Sequence, residues 1–183
     1  MTDLSLYLLD IVENSLAVKA PNIDVSIVVD QVANRLGLTI TDNGIGMNEA
    51  AVQRAADPFF TTRTTRKVGL GLAFLKQAAI LAGGDFTLSS KLGYGTSLTA
   101  NFQLDNIDRP PLGDIYASIL AIIYHQDCQN FTFQITTKEK NFAFDLQAIK
   151  ETIDPVPLTD PLILSYLKHY LQENITNCLG GIV

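Results

Sequence analysis

Asp42-Asn43-Gly44-Ile45-Gly46-Met47 closes the stretch Arg35–Thr41 with a glycine-containing turn. The stretch before it reads as a strand, and it has a neighbour upstream. Ile23–Val29 alternates along its length and is rich in β-branched residues, the signature of a half-buried strand. The turn Asp30–Asn34 joins the two as a pair. Before them, Leu4, Leu8, Leu9, Ile11, Val12 and Leu16 recur near helical spacing, so Leu4–Val18 is expected to be a helix that Pro21 ends. After them, Asn48 caps a short helix, Glu49–Ala56, and Asp57-Pro58 breaks it. Phe60–Lys67 reads as a polar loop. Gly69-Leu70-Gly71 leads into a second helix, Leu72–Leu81, stopped by Gly83-Gly84. Phe86–Ser90 and Ser97–Leu104 read as strands joined by the turn Leu92–Gly95.

Residues 106–113, with Pro110, Pro111 and Gly113 in a polar stretch, read as a linker. Beyond it, the pattern predicts a helix over Ile115–Tyr124, strands over Phe131–Thr136 and Phe142–Leu146 around the charged turn Lys138–Asn141, and a helix over Pro161–Ile175. The expected organisation is a first domain over 1–105, the linker, and a small α/β domain over 114–183. A chain of 183 residues suits that division.

Apolar residues make up 47% of the chain and charged residues 17%, enough for a buried core. The net charge of −6, from 13 Lys+Arg against 19 Asp+Glu, argues against duplex nucleic acid as the main partner. The apolar run Ile115–Tyr124 is far short of the ~20 residues of a membrane-spanning helix. The opening MTDLSL lacks the basic start and apolar core of a secretion signal. Cys128 and Cys178 are too few for a disulfide framework or a zinc site. The expectation is a soluble cytoplasmic protein.

Four segments could carry chemistry. In Asp42-x-Gly44-x-Gly46 a carboxylate can accept a hydrogen bond from the exocyclic amine of adenine, and glycines let backbone approach the ring; the same residues also make an Asx-Gly turn. Gly69-Leu70-Gly71-Leu72 stands before a helix, where free N–H groups favour bound anions; it also serves as a flexible helix entry. No Walker A pattern is present. Asp10, Glu13 and Asn14 share one side of the opening helix, with Asp10 and Asn14 four apart. An amide oxygen suits magnesium, and a carboxylate one turn away can orient or deprotonate a nucleophile; the plain alternative is a solvent-facing helix side. Pro58-Phe59-Phe60-Thr61-Thr62-Arg63-Thr64-Thr65-Arg66-Lys67 combines aromatic anchors, hydroxyls and cations, as a lid over phosphates would, or as a solvated basic loop does.

The series ENS (Glu13–Ser15), DNGIGM, PFFTTR (Pro58–Arg63), VGLGLAF (Val68–Phe74) and GYGTSL (Gly93–Leu98), in that order, resembles the Bergerat-fold ATPases. This group, also called GHKL, joins gyrase, the heat-shock chaperone ATPases, histidine kinases and mismatch-repair ATPases. The short lid and the GLGLAF continuation are most similar to a histidine kinase's ATP-binding domain; the ENSL box is equally similar to mismatch-repair ATPases. The resemblance spans about residues 4–104 and implies a two-layer α/β sandwich, with a mixed, mostly antiparallel sheet and helices on one face.

It also implies roles. Asn14 matches the magnesium-binding asparagine, and Asp10 stands where many members carry the catalytic glutamate, with Glu13 as a second candidate base. Asp42 matches the adenine-reading aspartate, and Thr96 the threonine that reaches adenine through water. Gly44, Gly46, Gly69 and Gly71 match the nucleotide-loop glycines. Thr61, Thr62, Arg63, Arg66, Lys67, Leu70 and Leu72 would hold the phosphate end. The implied cofactors are ATP and Mg2+. Two departures accompany the match: aspartate at position 10 is one methylene shorter than glutamate, and only a handful of residues precede the first box, where a sensor kinase has a helical hairpin with a phosphorylatable histidine. His125 and His169 read as surface or core residues. The expected function is an ATP- and magnesium-dependent protein kinase, or a slow ATPase, acting on a partner protein, with a homodimer as one arrangement. The alternative is a nucleotide-gated binding module similar to anti-sigma factors.

Overall fold

A computed structural model describes residues 3–55 and 71–181. Helix α1, Leu4–Ala17, starts at Asp3, whose carboxylate accepts from the Leu6 N–H at 3.0 Å. Leu4, Leu8, Ile11, Val12 and Leu16 line its buried side. Lys19 then turns with φ 55°, ahead of Pro21. Strands β1, Asn22–Asp30, and β2, Arg35–Asp42, form an antiparallel hairpin in which Val25 faces Ile40, Ile27 faces Leu38 and Val29 faces Leu36. Its turn is tied by Asp30, which accepts from the N–H groups of Val32 and Ala33, both at 2.9 Å.

The remaining elements are α2 (Glu49–Ala55), α3 (Gly71–Leu81), β3 (Phe86–Lys91), β4 (Gly95–Gln103), α4 (Ile115–Ile123), β5 (Asn130–Thr137), β6 (Asn141–Asp145), α5 (Leu146–Ile153) and α6 (Pro161–Leu179). The strands make one six-stranded sheet in the order β3-β4-β2-β1-β5-β6. Among the described residues, only the β1–β5 pairing is parallel.

Side chains two apart on a strand share a face. One face therefore carries Ile23, Val25, Ile27, Leu36, Leu38, Ile40, Leu98, Ala100, Phe102, Phe131, Phe133 and Ile135, all buried. The other face carries hydroxyls that pair across strands, Thr39 with Thr99 at 3.2 Å and Thr41 with Ser97 at 3.1 Å. Such a face is stable in water, and the helices cover the apolar one: α1 packs on α3 and α4, and α4 on α6. The two-layer α/β sandwich expected from the sequence is the fold observed.

The segment after the connector builds onto the same sheet. A bare β1 edge would leave backbone donors and acceptors unpaired. Strand β5 pairs with them in parallel register, and Phe131, Phe133 and Ile135 continue the apolar face. Leu8, Ile27, Phe133 and Leu171 belong to one core. The expected small domain over 114–183 thus shares sheet and core with the first region. The connector is also docked: the carbonyls of Pro111 and Leu112 accept from the N–H groups of Leu4 and Ser5 at 2.8 and 2.9 Å, satisfying two donors at the start of α1. Helix α5 is an addition to the sequence reading, which runs a strand through Leu146. The Asp145 carboxylate caps it by accepting from Gln147 N at 2.8 Å and Ala148 N at 3.3 Å. Among the described residues, no helix is long and apolar enough to cross a membrane.

Candidate functional site

The apolar rows end in polar residues at one edge of the helix-covered face. On β2 the buried row Leu36, Leu38, Ile40 continues to Asp42; on β4 the row Phe102, Ala100, Leu98 continues to Thr96. On β3 the half-buried Phe86 and Leu88 continue to Ser90. The register sets Asp42 opposite Thr96, and Thr96 opposite Ser90. Three polar side chains therefore stand side by side where the core stops.

Helix α1 supplies the roof. Ser15 is buried and donates its hydroxyl to Asp42 Oδ2 at 2.9 Å. The Gly44 N–H donates to Asp42 Oδ1 at 2.8 Å. Each carboxylate oxygen is held from one side and keeps lone-pair capacity for a further donor. The DNGIGM turn is fastened to the β3–β4 hairpin as well: Gly93 N donates to Ile45 O at 2.7 Å, and Met47 N to Ser90 Oγ at 2.8 Å. Gly46, with φ +64°, leaves no room for a Cβ beside the Lys91 carbonyl; Gly95, with φ +105°, leaves none beside the Asp42 carbonyl. A Cβ on Gly44 would sit 3.0 Å from Asp42 Oδ1 and 3.1 Å from Val18 Cγ2. The glycines are thus needed for close backbone approach around Asp42.

The remaining predicted residues lie further along α1. Asp10 and Glu13 are half-buried and Asn14 is exposed. Asn14 precedes Ser15 on α1, and Asp10 is one turn earlier. The Asp10 carboxylate packs against Gly71 at the start of α3, where a Cβ would collide with Oδ2. Leu72 is half-buried against the core. The structure therefore brings Asp42, Gly44, Gly46 and Thr96 into one place, brings Asp10 against Gly71, and connects the two groups through α1. Thr61, Thr62, Arg63, Arg66, Lys67, Gly69 and Leu70 lie outside the described residues.

Two residues of the site received no role in the sequence reading. Ser15 closes the ENS box, but the sequence assigns it no role; it stands there as a polar residue among Ile11, Val12 and Leu16 on the buried side of a helix. Ser90 is visible only as a polar residue in phase with Phe86 and Leu88 on a strand. A separate cleft of about 340 Å³ lies at the far end of the sheet, lined by Asn34, Arg35, Asp85, Asn101 and Gln103 among others. Its polar groups serve each other: Arg35 pairs with Asp85 at 3.3 Å, and Asn101 Nδ2 donates to Asp85 at 2.7 Å.

The model of the family described as histidine kinase-, DNA gyrase B-, and HSP90-like ATPase matches residues 2–106. The C4-dicarboxylate transport sensor protein DctB of Pseudomonas aeruginosa is 39% identical over 83 residues, which is 45% of this chain and 14% of that protein. The sensor histidine kinase YvrG of Bacillus subtilis is 29% identical over 84 residues, 44% of this chain and 14% of that protein. The matched part thus spans about a seventh of either relative. In structure, the chain is similar to the N-terminal domain of a DNA repair protein, with a TM-score of 0.52 at 14% identity, over 78% of this chain and 52% of that one. That likeness concerns the fold alone.

Proposed function

The chain belongs to the histidine kinase-, DNA gyrase B-, and HSP90-like ATPases, and from that premise we propose that it binds ATP with magnesium and transfers the γ-phosphoryl group to a partner protein. The observation that carries the reading is Asp42, held by Ser15 and Gly44 at the end of the apolar rows and set opposite Thr96. A carboxylate only accepts hydrogen bonds. It complements an exocyclic amine, and a keto oxygen in the same place would meet lone pairs. Ile40 and Leu98, both buried, come just before Asp42 and Thr96 in the apolar rows of β2 and β4.

The donor set fits the rest of the nucleotide. The Asn14 amide oxygen suits magnesium, which takes oxygen ligands and shares them with phosphates. When bound, the ion would neutralise charge on the phosphates. The start of α3 at Gly71 and Leu72, with Gly69, Leu70 and the cations and hydroxyls of Thr61, Thr62, Arg63 and Lys67, would hold the phosphate end. Asp10 is the first candidate to receive the proton of the attacking group, as that group bonds to the γ-phosphorus and ADP leaves; Glu13 is the second.

One feature favours a second reading. Asp10 reaches one methylene less far than the glutamate that the resemblance puts there, which suits slow chemistry. The protein would then be a nucleotide-gated binding module, with ATP setting its affinity for a partner.

Incubation with γ-labelled ATP, magnesium and cell extract separates the readings. Label on another protein supports the kinase. Release of phosphate with no labelled protein replaces it with an ATPase. Tight ATP binding with neither supports the gated module. Absence of any adenine-nucleotide binding in calorimetry overturns all three.

A further inference from the structure

We infer that Ser90 is a positioning residue that fixes which way the Thr96 hydroxyl points, and so sharpens selection of a 6-amino over a 6-keto purine. The inference rests on the reading of Asp42 and Thr96 as the base site.

Counting protons fixes the direction. The Ser90 hydroxyl has one proton and two lone pairs. One lone pair takes the Met47 N–H at 2.8 Å. Ser90 Oγ also lies 2.8 Å from the Gly95 carbonyl oxygen, which has no proton to give. That contact holds only if the Ser90 proton lies in it. Ser90 Oγ is 2.9 Å from Thr96 Oγ1 as well. With its proton spent on Gly95, Ser90 can only accept there, so Thr96 must donate. The opposite assignment leaves Ser90 Oγ and the Gly95 oxygen 2.8 Å apart with no proton between them.

The consequence reaches the base. Thr96 sits opposite Asp42 on the neighbouring strand. With its proton directed at Ser90, Thr96 has only lone pairs to offer a ligand or a bridging water. Asp42 likewise accepts only. In direct contact, the Asp42 and Thr96 side chains thus present acceptors alone, matched to an amino group and mismatched to a keto oxygen. Without the Ser90 hydroxyl, the Thr96 proton is free to rotate outward and to donate to a keto group. Ser90 touches no base in this scheme; it acts through Thr96.

The test is calorimetric binding of ATP and ITP, whose bases carry a 6-amino group beside a bare N1 and a 6-keto group beside an N1–H, to the full chain in magnesium. In Ser90→Ala the preference for ATP over ITP should fall about fivefold to tenfold, the size of one hydrogen bond gained or lost. Ser90→Thr, which keeps a hydroxyl, should restore it. In a Thr96→Ala background, Ser90→Ala should leave the preference unchanged, because no hydroxyl remains to reorient. A general loosening of the hairpin would instead weaken both nucleotides alike, in both backgrounds. An unchanged ATP:ITP ratio in Ser90→Ala, with the parent protein preferring ATP, overturns the inference while leaving the base-site reading intact. A parent protein that binds neither nucleotide overturns both. Should Ser90→Ala fail to fold, the parent protein decides: the Thr96 hydroxyl proton, observed by NMR, must show a cross-peak to the Ser90 β-protons, and its absence refutes the inference.

Discussion

Replacing Asp42 with Asn probes the base site with little disturbance to the fold. Asn has the same shape. Its Oδ1 can keep the Gly44 N–H, now at 2.8 Å, and Ser15, 2.9 Å from the other terminal atom, can turn its hydroxyl to accept instead of donate. Both internal bonds survive, one with reversed polarity, so stability should change by no more than about 1 kcal/mol. The ligand side differs. A charge-assisted acceptor is lost, worth about 1.5–3 kcal/mol, and an amide donor then faces the amine of adenine, which adds about 1–3 kcal/mol. A central total of about 3–5 kcal/mol weakens binding about 150-fold to 5,000-fold. Calorimetry with ATP and magnesium measures the affinity, and a thermal melt on the same sample checks the fold. Lost binding with an unchanged melt is the expected result. An Asp42→Asn protein with an ATP Kd within about threefold of the parent refutes the assignment of Asp42.

Further expectations follow from packing and burial. Gly95→Ala puts a Cβ against the Asp42 carbonyl at a φ of +105°, and urea denaturation should show a loss of about 2–4 kcal/mol; a change below about 0.5 kcal/mol contradicts the geometry. Leu8, fully buried on α1, should lose about 2–5 kcal/mol on truncation to Ala. A fragment ending at residue 113 lacks β5 and α4, leaving the β1 edge and part of α1 uncovered, and should show no cooperative melt; a sharp transition near that of the full chain would mean that the first region folds alone. Burial raises the ionisation range of the Cys128 and Cys178 thiols and of the Tyr7 and Tyr124 phenols. These groups favour the protonated form when folded, so their contribution is complete below the unfolded values, about 8.5 for Cys and 10 for Tyr, and is lost as pH rises through the raised folded values. Stability should therefore fall on the alkaline side, and both thiols should react with iodoacetamide more slowly than free cysteine at a pH of about 8.5. Reaction at the free-cysteine rate in the folded protein would contradict their burial.

Much of the fold was legible because the period of the pattern carries it. The strand readings at Ile23–Val29 and Arg35–Thr41 fall within β1 and β2, and the helix over Leu4–Val18 within one residue of α1. Helix α5 was not legible, because eight residues give little more than two turns and its stop is not marked by glycine. The candidate site was half legible. Asp42 and its glycines stand in one contiguous motif, whereas Ser90 lies in no motif and Ser15 closes the ENS box without a role of its own: each is a small polar residue in an apolar row, whose meaning depends on what lies opposite.

The amino-acid order by itself determined the rows. It set which side chains alternate, which turn needs glycine, and that a carboxylate ends one apolar row. It could not determine which row lies beside which. Strand pairing joins residues far apart in the chain, and its energy comes from backbone groups that are alike in every residue. Only the folded sheet decided that β5 lies parallel against β1, making one core of both halves. The same pairing decided that Asp42, Thr96 and Ser90, from three different strands, meet beneath Ser15 of the first helix.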